Sequence, residues 1–209
     1  MEVLELKPIN KKRITIYLIE KYRISSELND IDKIKELVNN NNISFITVEI
    51  NNENFRTFKD SNLSTVLKAL NLEYYLFDMP EYAYGYLFEE INKKEEQISE
   101  LLMEYRKMKD KESFKGLNLK SWIDVLKREV NQDKQILETK IRPQWIVKKI
   151  LDLVRSNENG ELALLHFCSE KTLSEITEQL RELHIEVFVY ELNSLHNIPN
   201  LIIKQEENN

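Results

Sequence analysis

The feature that most constrains the fold of this 209-residue chain is a set of five short apolar segments, which helical patterns separate. Nearly continuous apolar runs of this length are typical of strands that are covered on both faces. Strand–helix–strand alternation with short links favours right-handed crossovers between parallel strands. We therefore predict an α/β fold with a mainly parallel sheet flanked by helices, whose strands are residues 14–19, 45–50, 73–77, 162–167 and 185–190.

A different pattern fills the chain between the third and fourth predicted strands. Apolar residues recur there at alternating spacings of three and four, which is the pattern of an amphipathic helix with a heptad seam. A second amphipathic stretch follows, with Trp122, Leu126, Val130, Leu137 and Ile141 on its apolar side. We predict a long antiparallel helical hairpin of residues 84–108 and 119–141, joined near Gly116. Pro143 is expected to break the second helix, because proline has no N–H to donate.

These patterns divide the chain into three consecutive parts, with no linker that would separate independent domains. Residues 1–80 are the first part of the α/β domain, and residues 81–156 are the hairpin with the helix after it. Residues 157–209 are the second part of the α/β domain and end in a charged, flexible tail. Within that tail, residues 201–203 are apolar and are interpreted as an edge strand.

Charge argues against a broad nucleic-acid surface. The formal net charge is −6, whereas binding to phosphates needs a basic footprint. Basic residues are concentrated only in the segment 106–120, which also contains Asp110 and Glu112. We interpret this segment as the solvated tip of the hairpin, with a binding patch as the alternative.

Composition also excludes several site types. Three widely separated glycines cannot form a dinucleotide fingerprint or a P-loop. The single cysteine, Cys168, excludes an internal disulfide framework and a multi-cysteine zinc site. No apolar run approaches the roughly 20 residues that a membrane span needs. We expect a cytoplasmic protein that has no membrane partner.

Acidic residues and a histidine stand at the ends of the predicted strands. They are Glu20, Glu49, Asp78 and His166, with Cys168 and Glu191 nearby. Ligands of open parallel sheets bind beyond the carboxyl ends of the strands, so these side chains could hold a divalent metal or supply an acid–base pair. The alternative is that they are ordinary solvated residues where strands return to water.

Glu49 is the strongest of these candidates. It stands inside an apolar run, where a charge is costly unless it is paired. Arg56, shortly after the strand, is its expected partner. His166 also interrupts an apolar strand, and a catalytic role and a core histidine are both open interpretations. Cys168 fits a buried thiol better than a nucleophile.

The order of these segments resembles the TraB/PrgY family, which is related to a wider group of proposed metal-dependent hydrolases. Residues 46–50 read Ile-Thr-Val-Glu-Ile and are followed by Arg56, similar to a family strand ending in Val-Glu-Leu with an Arg shortly after. The next strand ends in the acid Asp78, and a late Arg142 precedes a helix and a strand that ends in His166. The resemblance spans about residues 13–191.

Two departures bear on what the resemblance implies. The family's first strand leads to Gly-x-x-His, where this chain has Ile-Glu-Lys-Tyr at residues 19–22, and Ala163 replaces the glycine before His166. One of two expected histidines is therefore missing. The resemblance therefore implies a degenerate active site, and we predict a binding or regulatory module. The long seam of the hairpin is a natural surface for self-association or partner binding. The alternative is a metal-dependent hydrolase that uses Glu49, Asp78 and His166, with Glu20 as a further ligand.

Overall fold

A five-stranded parallel sheet forms the centre of the structure, a computed structural model that describes residues 9, 12–25, 27–50 and 55–192. The sheet order is β3-β2-β4-β1-β5, and every pair of neighbours is parallel. The strands are β1 (Arg13–Glu20), β2 (Phe45–Glu49), β3 (Tyr74–Phe77), β4 (Glu161–Cys168) and β5 (Glu186–Val189). The predicted α/β fold is thus confirmed, whereas the edge strand proposed at residues 201–203 lies outside the described residues.

Helices cover both faces of this sheet. One face packs on α1 (Leu28–Asn40), α2 (Phe55–Lys59) and α3 (Asn62–Leu70) through alternate strand residues such as Ile46 and Val48. The other face packs on α6 (Arg142–Ser156) and α7 (Glu170–Glu182) through residues such as Leu164. The connection after β2 therefore lies on one face and the connection after β4 on the other. Neighbouring strands that diverge in this way open a crevice at their carboxyl ends, where ligands of such folds bind.

The inserted hairpin consists of α4 (Glu81–Lys107) and α5 (Phe114–Ile136). Ion pairs between the two helices show that they are antiparallel: Lys94 lies 2.8 Å from Asp133, and Lys115 lies 2.8 Å from Glu104. Its apolar seam includes buried residues of both helices: Ile91, Ile98, Ile123, Leu126 and Val130. None of the described helices is long and apolar enough to cross a membrane.

Two details of the predicted hairpin are wrong. Gly116 lies in the first turn of α5 and not in the connection, and its N–H donates to Ser113 Oγ at 3.2 Å. A Cβ atom at Gly116 would stand 2.3 Å from the Lys111 carbonyl oxygen, so this close approach requires glycine. Trp122 is 48% exposed, because its neighbour Ile123 occupies the seam instead.

The expected break at Pro143 is also absent. Residues Leu137–Ile141 form a π-helical turn that continues directly into α6, and Ile141 keeps helical backbone angles of φ −69° and ψ −47°. A wider turn makes room for the proline ring and omits the hydrogen bond that proline cannot donate. The helical path therefore continues through the turn, and Arg142 follows the turn at the edge of the sheet.

Candidate functional site

The strand register brings most of the predicted strand-end residues to one edge of the sheet. Glu20 of β1 is paired with Cys168 of β4, and Glu49 of β2 is paired with Phe77 of β3, directly before Asp78. His166 lies farther back from the edge, beside Thr47 of β2. Glu49 consequently lies at the crevice between β2 and β4.

Glu49 is fully buried, and the start of α7 holds its carboxylate. The Ser169 N–H donates to Oε2 at 2.8 Å, and Ser169 Oγ donates to Oε1 at 3.0 Å. The Thr172 hydroxyl donates to Oε2 at 2.5 Å. Because a helix N-terminus favours negative charge, the start of α7 stabilises the ionised carboxylate.

Arg142 pairs with three carboxylates at once. Its Nε and Nη2 donate to the two oxygens of Asp78, each at 3.0 Å. Nη2 also lies 3.0 Å from Glu49 Oε1, and Nη1 donates to Glu138 Oε2 at 3.0 Å. We call Arg142, Glu49, Asp78 and Glu138 the Arg142 cluster. The Tyr84 hydroxyl of α4 donates to Glu138 at 2.8 Å, so the cluster joins β2 and the end of β3 to the base of the hairpin.

The charges of the cluster explain the protonation state of Glu49. Burial alone would raise the pKa of Glu49, but Arg142, Lys21 and the hydrogen bonds from Thr172 and Ser169 outweigh it and lower the pKa. Burial and the neighbouring Glu138 raise the pKa of Tyr84 to about 12. At neutral pH Glu49 is therefore an ionised partner of Arg142.

Lys21 is a second cation beside the cluster, in the short 3₁₀ helix Lys21–Arg23 after β1. Its Nζ donates to the Glu49 carbonyl oxygen at 2.6 Å and lies 5.1 Å from the centroid of the Tyr22 ring. No carboxylate of the described residues lies within 4.0 Å of this ammonium group. Lys21 thus forms no direct ion pair in the described structure, although its charge helps to lower the pKa of Glu49.

His166 is not placed for catalysis. The side chain has no exposed surface, and Nδ1 shares a 2.8 Å hydrogen bond with the Thr47 hydroxyl. Burial lowers the pKa of His166 to about 4, so the imidazole is neutral at physiological pH. A catalytic base must reach the proton that it removes. The core-histidine interpretation therefore fits the structure, and the catalytic one does not.

Glu20 and Cys168 also take structural positions. Glu20 pairs with Arg23 at 2.5 Å, on the β1 side of the edge. Cys168 is buried with Sγ 3.7 Å from the Ile19 carbonyl oxygen, and burial raises the pKa of its thiol. A thiol held in its protonated form is a poor nucleophile.

The predicted metal ligands do not form a ligand set. Among the residues that the structure describes, no group of three or more His, Cys, Asp and Glu side chains could hold a metal ion. Glu49 and Asp78 do come together, but the Arg142 guanidinium occupies the place between them where a metal was expected. Glu20 and His166 have other partners. The side chain of Arg56, the expected partner of Glu49, lies outside the described part of the chain.

A cavity of about 550 Å³ opens beside the cluster at the carboxyl edge of the sheet. Lys21 and Arg142 contribute its cationic wall, and Ser61 and Asn62 at the start of α3 contribute polar groups. The apolar wall includes Ile24, Ile50, Phe58 and Leu63. Glu49, Asp78 and His166 are not among the described lining residues. The site thus presents cations toward the cavity and keeps its two most buried carboxylates behind them.

No family model, curated protein or solved structure matches this chain. The resemblance to the TraB/PrgY family stays a prediction.

Sequence reasoning identified Glu49 and its need for a cation but missed the roles of Arg142 and Lys21. Arg142 is 93 residues after Glu49 in the chain, so proximity in sequence favoured Arg56. Arg142 could have been found from the resemblance to the TraB/PrgY family, which includes a late arginine at this position, directly before Pro143. Lys21 gave no comparable signal, because a lysine after a strand is ordinary.

Proposed function

We propose that this chain is a cytoplasmic α/β binding or regulatory protein of TraB/PrgY-like ancestry with a degenerate active site. The observation that carries the proposal is the composition of the cavity wall. Lys21 and Arg142 line the cavity, whereas the residues expected to catalyse are buried and paired with protein groups. Such a wall suits the binding of a small molecule better than its hydrolysis.

The geometry of the cluster supports the proposed ancestry. Glu49, Asp78 and Arg142 carry the resemblance to the TraB/PrgY family, and they are far apart in the sequence. They nevertheless meet at distances of 3.0 Å. Residues that form a family's motif are expected to gather at one site, and these three do so.

The rival function is a metal-dependent hydrolysis that uses Glu49 and Asp78. Both carboxylates share the Arg142 guanidinium, so a metal ion would first have to displace a buried cation. Replacing Glu49 by glutamine separates the two functions, because glutamine keeps the size of the side chain and removes the charge. If the protein is a binding module, the change should cost about 1.5–3 kcal/mol of unfolding free energy, as for hydrogen bonds to charged groups.

The experiment is thermal unfolding of the wild type and Glu49→Gln, with and without Mg²⁺, Mn²⁺ or Zn²⁺. We expect Glu49→Gln to melt at a lower temperature and neither protein to respond to the metals. Glu161→Gln is the matched control, because that glutamate lies at the exposed start of β4. A wild-type melting temperature that rises with metal, and loses this response in Glu49→Gln, would establish the rival function.

The hairpin is the second part of the proposed function, as a surface for self-association. The seam predicted for this role is already used between α4 and α5. The outward side of α4 carries Glu96, Glu100, Met103 and Lys107 at helical spacings of four, three and four. All four are exposed, and the three charged ones form no ion pair with the described residues. In an antiparallel pair with a second copy, Lys107 would face an acidic residue of the other α4.

Sedimentation equilibrium at low and high ionic strength tests this pairing. We expect a dimer that weakens with added salt, dissociates in Lys107→Glu and is restored when Glu100→Lys is added to that variant. Lys127→Glu, on an exposed part of α5, should leave the association unchanged. A monomer under all of these conditions would refute a role of the hairpin in self-association.

A further inference from the structure

The cavity beside the Arg142 cluster contains a cation, Lys21, that forms no direct ion pair with the described residues. Lys21 is partly buried in the cavity wall, and its hydrogen bond goes to a neutral carbonyl oxygen. Removing an ammonium group from water without a counter-ion is unfavourable. A ligand that brings a negative charge to Lys21 would give this ammonium group a direct ion-pair partner.

Arg142 adds a second donor to the same wall. A guanidinium has five N–H groups; Arg142 donates three hydrogen bonds, to Asp78 and Glu138, and its Nη2 also lies 3.0 Å from Glu49 Oε1. One Nη1 hydrogen has no acceptor among the described residues. Glu49 and Asp78 are 0% and 5% exposed and lie behind the guanidinium, so an anion in the cavity would meet Lys21 and Arg142 first.

The start of α3 has the same preference for negative charge. Ser61 caps this nine-residue helix by accepting a hydrogen bond from the Ser64 N–H at 3.2 Å. Ser61, Asn62 and Leu63 line the cavity, so the positive end of the helix dipole lies at the same cavity as Lys21.

The apolar part of the wall defines the rest of the ligand. Ile24, Ile50 and Phe58 are buried residues that belong to one face of the sheet core and also line the cavity. A volume of about 550 Å³ is that of a small-molecule site and exceeds what a single inorganic ion fills. The ligand therefore combines one anionic group with an apolar body.

We propose that the cavity binds a small organic anion, with a carboxylate or phosphate held between Lys21 and Arg142 and an apolar body against Ile24, Ile50 and Phe58. This inference rests on the proposed binding function and adds the chemical class of the ligand. Phenyl phosphate is a suitable probe, because it places a phosphate on a small apolar ring. Benzyl alcohol is its uncharged counterpart.

The test is titration of the full chain, followed by amide NMR shifts and isothermal calorimetry. We expect phenyl phosphate to shift the amides around Lys21, Arg142 and the start of α3, with an affinity that falls as NaCl is added. Lys21→Met should weaken binding about tenfold or more, and Lys21→Arg should restore most of it. Lys127→Met, an exposed lysine on α5, is the matched control and should bind as the wild type does.

A variant that fills the cavity gives an independent result. Thr57 is exposed and lines the cavity, so Thr57→Trp should block phenyl phosphate without loss of folding. Equal binding of benzyl alcohol and phenyl phosphate, unaffected by Lys21→Met, would overturn the anion inference and leave the binding function intact. If neither probe binds in the cavity, both the inference and the proposed ligand site are refuted.

Discussion

Replacing Arg142 by methionine should lower the free energy of unfolding by about 3–5 kcal/mol, the range for removing one partner of a buried ion pair. The change leaves Glu49 and Asp78 buried at 0% and 5% exposure without their shared cation. It also releases Glu138 and its link to Tyr84. Urea unfolding at neutral pH measures the loss. Arg128→Met is the matched control, because Arg128 is exposed and, among the described residues, donates to a carbonyl oxygen of its own helix.

The pH dependence should distinguish this cause from a simple loss of packing. In the wild type the pKa of Glu49 lies below its ordinary value of 4.5. Its ionised carboxylate therefore adds to the free energy of unfolding above pH 4.5, and this stabilisation is lost as the pH falls through the lower pKa of the folded protein. In Arg142→Met, burial should dominate and raise the pKa of Glu49 in the folded protein. The folded variant would then bind a proton before the unfolded chain does, and its stability should rise as the pH falls from neutral. If the free energies of unfolding of the wild type and Arg142→Met differ by a constant amount from neutral pH down to about pH 5, this account is wrong.

Phe167→Ala should have a comparably large effect, about 3–5 kcal/mol, as for other buried phenylalanines. Phe167 has no exposed surface and lies on β4, which is inserted between β1 and β2. Removal of its ring would leave a cavity in the layer between the sheet and α1. Because β4 is hydrogen-bonded to a strand on each side, its backbone cannot move to fill that cavity. Urea unfolding again provides the measurement.

Phe188→Ala provides the comparison at the edge of the sheet. Phe188 is 39% exposed on the edge strand β5 and stacks on Tyr17 at a centroid distance of 5.4 Å. We expect this change to cost about 1 kcal/mol, because an exposed aromatic pair contributes little beyond its partial burial. If the two substitutions have equal costs, then β4 is not the central strand or β5 is not at the edge.

The strands were predictable from the sequence because their apolar residues form runs of suitable length between helical patterns. Their order was not, because parallel strands of similar composition can be arranged in many ways. The segment at residues 162–167 is late in the chain and yet lies in the middle of the sheet, between strands from the first 50 residues. Only long-range packing determines that position.

The candidate site shows the same division between local and long-range information. A glutamate inside an apolar strand predicted a buried charge and a cation beside it, and Glu49 is held in this way. The identity of the cation depended on the π-helical turn before Arg142, which the local rule for Pro143 did not anticipate. His166 was ambiguous because its residue type fits both a base and a core side chain, and burial decides between them.

The position of the Arg142 cluster also has a mechanical consequence. The hairpin leaves the sheet after Asp78 and returns at Arg142, so both of its ends are held by the same guanidinium. Helix α4 has 27 residues and is therefore about 40 Å long, at a rise of 1.5 Å per residue. If α4 rotates by about 5° about its base, its far end moves by about 3.5 Å. Changes too small to disturb the sheet at the cluster would thus become displacements the size of a side chain at the tip.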